Sequence, residues 1–313
     1  MTLKDIEQKL KAKFGDKLIS NHPLNRLNTF GTGGPARLFF EANSIDEMVS
    51  MLVSSREIDI PTFLLGGGSN ILVSDDGFDG LVIKNSIKGI ELEGNKINCG
   101  AGEDLQSLVD FATENSLTGL EFATGIYGTV GGAIYGNAGA YGTETGGVLQ
   151  SAQLVDRQGD IRIEENAYFK FGYRDSILKK TRETVVTAKF ALELGNEDII
   201  RSKCEKIKAE RDNKLPHNAN TAGCFFKNIP DEDAKYGKIS AGKLLDEVGA
   251  KNMNFKGAGV FAKHANILLN DGSASSNDIK RLSAKLKAMV KDKFDIELTE
   301  EITLLGNFME ETI

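Results

Sequence analysis

The sequence predicts an α+β fold assembled from more than one lobe, and three observations carry that expectation. Segments with strand alternation and segments with helical spacing of apolar residues follow one another along the whole chain. The length of 313 residues is long for one compact core, while 40% hydrophobic and 27% charged residues supply real cores and argue against general disorder. Ten of the 34 glycines, finally, gather in two dense loops.

Taken in order, "MTLKDIEQKLKAKFGDKL" reads as an amphipathic surface helix, with Asp5 and Glu7 among its lysines and no apolar signal core. "ARLFFEA" is strand-like, and "SIDEMVSMLVSSREI" opens on Ser44, a good helix cap, before apolar residues at helical spacing. "PTFLL" and "ILV" read as short buried strands, which makes "GGGSN" a glycine turn between them. The alternation of "IELEGNKINC" about Gly94-Asn95 predicts a hairpin, with Cys99 a packing residue at its end. "EDLQSLVDFATENSL" places Leu105, Leu108, Val109 and Ala112 on one helical face. "SAQLVDRQGDIRIEE" predicts two strands about a turn at Gln158-Gly159, and "ETVVTAKFALEL" a further strand. In "NEDIIRSKCEKIKAERD", Ile200, Cys204 and Ile207 share a helical stripe. "SSNDIKRLSAKLKAMVKDKF" is an amphipathic helix capped by Ser or Asn, and "DIELTEEITLLG" a closing strand. No repeat or low-complexity linker separates these segments. They divide into a domain over 1–198, with lobes of about 1–88 and 89–198, and a second domain over 199–313.

Charge and cysteine usage exclude several classes. A net charge of -7 argues against a general nucleic-acid binder. Cys99, Cys204 and Cys224 are odd in number and far apart, a reduced cytoplasmic pattern without a disulfide framework or a zinc-type pair. No apolar run approaches the roughly 18 residues of a membrane helix.

The glycine loops are "LLGGGSN", residues 64–70, and "ATGIYGTVGGAIYGNAGAYG", residues 123–142. Glycine lets backbone N–H groups approach an anion, and successive N–H groups form nests for phosphate oxygens. Neither loop is a G-x-G-x-x-G opening a helix, and neither ends in Gly-Lys-Ser/Thr. Turn and close-packing readings stay open for each loop alone. Together, with Ser69, Asn70, Thr124, Thr129 and Asn137 as donors, they suit a long pyrophosphate-containing ligand between lobes.

Seven stretches then carry a resemblance: "NTFGTGGPARLFFEA", "LLGGGSNILVSDDGFDGLVIKN", "GIYGTVGGAIYGNAGAYG", "FGYRDSIL", "TAGCFFKN", "KHANILLND" and "LTEEITLLG". Their order resembles that of the UDP-N-acetylenolpyruvoylglucosamine reductase family, from about residue 22 to residue 306. The resemblance implies a two-lobed FAD-binding domain of the p-cresol methylhydroxylase (vanillyl-alcohol oxidase) type plus a carboxy-terminal α+β substrate domain. It implies the shorter subclass, since no long insertion with a substrate-capping tyrosine stands between Tyr173 and Arg211. With FAD as ligand, the contact candidates are Leu65, Gly66, Gly67, Gly68, Ser69 and Asn70 in the first loop. In the second they are Thr124, Gly125, Gly128, Thr129, Gly131, Gly132, Asn137, Gly139, Ala140 and Tyr141. Two positions depart from the family: Tyr127 stands where proline is usual, and Gly136 where a larger residue is common.

The activity implied is reduction of the enolpyruvyl group of UDP-N-acetylglucosamine enolpyruvate by NADPH through FAD, for peptidoglycan precursor synthesis. The expected setting is the cytoplasm and the expected form a monomer, with the UDP-sugar and NADPH as partners and no nucleic acid, membrane or metal. Hydride addition at the terminal carbon leaves negative charge on the adjacent carbon, delocalised into the carboxylate. Such chemistry needs a cation, an acid and a proton donor.

Arg174 fits the cation, because its planar fork matches a carboxylate; a structural Arg174–Asp175 pair is the bland alternative. Cys224 stands where most family members carry serine, and a thiol is the more acidic donor, with a reference pKa near 8.5. Packing, metal and nucleophile readings of Cys224 are the alternatives. Glu301 matches the family's carboxy-terminal acid. Strand parity, however, puts Glu300 with Phe294, Ile296, Leu298, Ile302 and Leu304, and Glu301 on the opposite face, so a cleft-lining face or a bulge is needed. Tyr173, Arg211, Lys214, Lys227 and Asn228 are candidates for the diphosphate and sugar of the substrate. His264, with Asn266, is a candidate for substrate or nicotinamide, or a satisfied core histidine in an apolar strand. His22 and His217 support no argument. Two other readings stand beside this one: a flavin oxidase of the same fold acting on a sugar or alcohol, and a nucleotide-binding module without catalysis.

Overall fold

The short strands on either side of "GGGSN" do not belong to one sheet. Thr62–Leu65 runs parallel to Phe78–Asn85, with Leu65 opposite Lys84. Ile71–Val73 instead runs parallel to Thr303–Leu305, with Leu72 opposite Leu304. The expected glycine turn is therefore a crossing from one part of the fold to another. The computed structural model describes residues 3–216, 219–234 and 237–308. The chain forms two compact units. One holds Met1–Asn21, Leu38–Gly67 and Gly80–Arg211, the other His22–Arg37, Gly68–Asp79 and Asp212–Ile313.

The first unit carries helices α1 (Leu3–Phe14), α2 (Ile45–Glu57), α3 (Leu105–Glu114), α4 (Val130–Gly136), α5 (Leu178–Thr181) and most of α6 (Glu197–Lys214). Ser44 caps α2 as expected, its side chain accepting the Glu47 N–H at 3.2 Å. Both expected hairpins form: Glu93 faces Lys96 about Gly94-Asn95, and Val155 faces Ile161 about the turn at Gln158-Gly159. They build a five-stranded sheet in the order Ile161–Glu165, Leu149–Val155, Thr184–Ala191, Lys96–Gly100, Ile90–Glu93.

Leu105, Leu108, Val109 and Ala112 of α3 are all buried with Ile97, Cys99 and Phe190, each large side chain contributing about 1.5–3 kcal/mol. A neighbouring core under α1 and α2, with Leu10, Phe40, Met48 and Ile83, also takes in Val155 and Val186 from the five-stranded sheet. Helix α6 passes the expected boundary at 198/199 and stays with this unit as far as Arg211. Cys204 packs against the α3 core, with Thr113 Oγ1 at 3.8 Å from its sulfur.

The second unit carries α7 (Ala241–Glu247) and α8 (Ser276–Phe294). Its core joins Phe30, Leu72, Phe225, Phe226, Leu245, Ile279, Leu286 and Ile302. Ser275 and Asp278 form a capping box on α8, and the Asp75 carboxylate accepts the N–H groups of Ser276 (2.8 Å) and Asn277 (3.1 Å). The expected closing strand is shorter than its alternation implied. Phe294 ends α8, Glu300 makes an isolated bridge to Phe226, and only Thr303–Leu305 is strand, because the chain bends at Glu301 and Ile302.

Candidate active site

In the first unit the two glycine loops lie against each other. A Cβ on Gly66 would stand 2.6 Å from Thr129 Oγ1, and one on Gly67 would stand 2.9 Å from Gly128 Cα. Close packing is thus why glycine occupies these positions. Several N–H groups expected to hold anions are already used. Gly125 donates to Gln106 Oε1 (2.8 Å), Gly131 to Ala101 O (2.8 Å), and Gly132 to Thr129 Oγ1, which caps α4. Asn137 is fully buried at φ 44°, donating to Gly172 O (2.9 Å) and accepting from Gly146 N–H (2.9 Å). It ties the second loop to "FGYRDS". Thr124 differs: it is 3% exposed, and its Oγ1 has no hydrogen-bond partner among the described residues.

Tyr173 and Arg174 form the tip of a tight turn closed by Gly172 and Asp175, each donating its N–H to the other's carbonyl at 3.1 Å. Arg174 has φ 53°, a conformation that costs a non-glycine residue of order 1 kcal/mol or more. Its Nη2 donates to Gly139 O at 2.9 Å, its guanidinium lies 5.3 Å from the Tyr173 ring centre, and Lys179 donates to its carbonyl. The half-buried guanidinium is thereby fixed beside Gly139–Ala140, a strand pairing with Thr143–Glu144. Tyr141, at φ 56°, leads into that turn. Arg211, expected at the substrate diphosphate, donates instead to Gly125 O from Nε (3.2 Å) and Nη2 (3.0 Å).

In the second unit the backbone of Phe225, the residue after Cys224, bonds to the chain segments of Asn266 and Glu301. Phe225 donates its N–H to Asn266 O at 2.8 Å and accepts the Glu301 N–H at 2.8 Å. Cys224 bridges Ile267, and Phe226 bridges Glu300. Asn70 closes the other side of the bend: its Nδ2 donates to Glu301 O (3.2 Å), and its carbonyl accepts Thr303 N–H (2.9 Å). Gly68, at φ +66°, lies against Leu27, where a Cβ would come within 1.9 Å of the carbonyl oxygen. Leu65 is buried on its strand, and Ser69 follows Gly68 half-buried.

The two glutamates differ sharply. Glu300 is paired with Lys280 (3.0 Å) and Lys287 (3.3 Å), both on α8. Burial alone would raise its pKa, but the Lys280 hydrogen bond and the two lysine charges outweigh that and hold it lowered. Glu300 is a carboxylate fixed by two lysines of α8.

The remaining expected contact residues belong to the second unit. Asn266 is 2% exposed, with its side chain committed to Phe226. His264 lies on a turn, not in a strand; its Nδ1 accepts the Asn266 N–H at 3.3 Å, and burial lowers its pKa. Asn228 Oδ1 accepts the N–H of Ala241 at the start of α7 (3.1 Å), Lys227 is half-buried, and Lys214 is exposed at the end of α6. His217 lies outside the described residues. Arg174 and Gly125 belong to the first unit, Cys224 and Glu301 to the second. The stretch "NTFGTGG" also belongs to the second unit. Thr29 and Thr32 there have buried hydroxyls without partners among the described residues, and Thr29 N–H donates to Gly68 O at 3.1 Å. The closely spaced glycines after Asn28 were the available signal.

A reductase from Caldanaerobacter subterraneus subsp. tengcongensis named UDP-N-acetylenolpyruvoylglucosamine reductase is 38% identical over 93% of this chain and 94% of its own length. This chain belongs to the UDP-N-acetylenolpyruvoylglucosamine reductase family. The Clostridium novyi reductase of the same name is 37% identical over 96% of this chain and 97% of its own. Residues 36–163 match an FAD binding domain, and residues 215–305 match the UDP-N-acetylenolpyruvoylglucosamine reductase C-terminal domain, in the order the resemblance implied. The crystal structure of the reductase from Thermus caldophilus superposes with a TM-score of 0.77 at 29% identity, covering 92% of this chain and 98% of that one. The fold is accordingly α+β, with an FAD-binding domain followed by the family's C-terminal domain. The residues present fit FAD: Thr124 offers an unpartnered buried hydroxyl in the second loop, and Gly136 and Gly142 have nothing within 4 Å of a built Cβ.

Proposed function

We propose that this member of the reductase family converts UDP-N-acetylglucosamine enolpyruvate to UDP-N-acetylmuramate, with Cys224 as proton donor, Glu301 as its partner acid and Arg174 as the carboxylate cation. FAD, when bound, takes hydride from NADPH and supplies it to the terminal carbon of the enolpyruvyl group. Every other requirement falls to the chain. Thr124 and the second glycine loop would hold the cofactor, together with Gly66, Gly67, Gly68 and Ser69.

Hydride arrival loads negative charge onto the substrate carboxylate and its adjacent carbon, and a guanidinium meets that charge with two parallel donors. Arg174 is held in a strained turn beside the cofactor loop, which preorganises it. The last step breaks the Cys224 S–H bond as a C–H bond forms on the adjacent carbon; the thiolate then regains a proton from solvent, relayed by the Glu301 carboxylate. The observation that supports this assignment is the backbone bond from Glu301 N–H to the carbonyl of Phe225, the neighbour of Cys224, together with the two lysines that hold Glu300 as a carboxylate.

Anaerobic mixing tests the reading. NADPH should bleach the flavin absorbance, and UDP-N-acetylglucosamine enolpyruvate should restore it with one product per flavin turned over. A protein that takes up no FAD would sink it. We further place the protein in the cytoplasm as a monomer. The three cysteines are free thiols, and no described helix is long and apolar enough to cross a membrane. Light scattering should return the mass of one chain.

A further inference from the structure

The carboxamide of Asn266 is a buried polar group that the mechanism above does not use. Both its ends go to one residue: Oδ1 accepts the Phe226 N–H at 2.9 Å, and Nδ2 donates to the Phe226 carbonyl at 2.8 Å. The ladder that pairs Ile267 with Cys224 stops at a turn over residues 265 and 266. A carboxamide has the donor and acceptor of a peptide group, so the side chain continues that ladder for one more residue. On the opposite side, Phe225 accepts from Glu301, and Lys227 N–H donates to Thr299 O at 2.8 Å. Both phenylalanine rings are buried, edge to face at 5.1 Å between centroids. The peptide groups of this dipeptide therefore have little water to turn to, and an unpaired one is costly.

We infer that Asn266 is a positioning residue: by fixing the peptide groups of Phe226 it aims Cys224, one residue beyond Phe225, with respect to Glu301 and so governs proton delivery. The inference rests on Cys224 being the donor. A residue acting only on the proton step leaves the reaction with NADPH alone, because hydride transfer to FAD needs no thiol. It also makes the proton step slower relative to the rest of the cycle.

The test follows the two half-reactions separately in flavin-loaded protein. The variants are Asn266→Ala and the shape-preserving Asn266→Asp, with Cys224→Ala as comparator. Both Asn266 variants should bleach with NADPH at the wild-type rate. Hydride transfer to the enolpyruvyl carbon is reversible until the proton arrives, so recovery with UDP-N-acetylglucosamine enolpyruvate should be about 100-fold slower, the loss that misplacement of a reacting group by about an ångström produces. Their recovery should also show a larger solvent deuterium isotope effect than wild type, a change that general loosening of the fold would not produce. Wild-type recovery in both variants overturns the inference, as does a parallel fall of both half-reactions or loss of FAD from both. A Cys224→Ala protein that recovers normally removes the donor role itself, and the inference with it, whatever the Asn266 variants do.

Discussion

Glu300 and Glu301 are neighbours in sequence with opposite surroundings, and their variants should separate accordingly. Glu301→Gln should lose turnover while keeping the fold; Glu300→Gln should keep turnover and lose stability. The acid dependence has a definite sign. Glu300 has a folded pKa below its unfolded value near 4.3, so its contribution is complete above that pH and is lost as pH falls through the folded value. The gap in thermal midpoint between wild type and Glu300→Gln should therefore close on acidification, read by scanning calorimetry from pH 7 to pH 3. At Cys224, serine should retain substantial turnover, and alanine should stop product formation yet still permit flavin reduction by NADPH; near-normal turnover of Cys224→Ala would refute the donor role. Parity grouped Glu300 with Ile302 and Leu304 on one strand face, but only Thr303–Leu305 of that stretch is strand. What parity could not show is the pair of lysines on α8, which lie 20 and 13 residues away and reach Glu300 only in the folded chain.

Helices and hairpins were legible because their signals are local: the Ser44 cap, the apolar face of α3, the two-residue turn at Gly94-Asn95. The partners of short strands were not. Nothing in "ILV" says that it pairs with a strand at the far end of the chain, since three buried apolar residues satisfy either neighbour. Glycines were legible as a cluster but not by role, because a nest and a close contact need the same missing Cβ. The structure separates them. Gly68→Ala would add a left-handed φ penalty to a clash with Leu27 and should cost about 3 kcal/mol. Gly136, the last residue of α4, has open space around it; Gly136→Ala should be tolerated or gain up to about 0.5–1 kcal/mol, in keeping with the larger residue common there in the family. Ser275→Ala, which removes the capping box of α8, should cost about 1 kcal/mol. Urea midpoints of the three variants rank these effects directly.

For the whole molecule, the domains expected from the sequence are two consecutive stretches of chain. The second unit takes residues from three separate parts of the chain, an arrangement that length and composition do not encode. Ile71–Val73 pairs with Thr303–Leu305, Ser74 N–H donates to Leu305 O at 2.8 Å, and Asp75 caps α8. During synthesis at the ribosome, therefore, an early strand must wait for a late one. At typical elongation rates the interval is on the order of tens of seconds, during which the apolar edge of Ile71–Val73 has no mate. The later segment, once it emerges, closes a sheet whose first strand was made long before it.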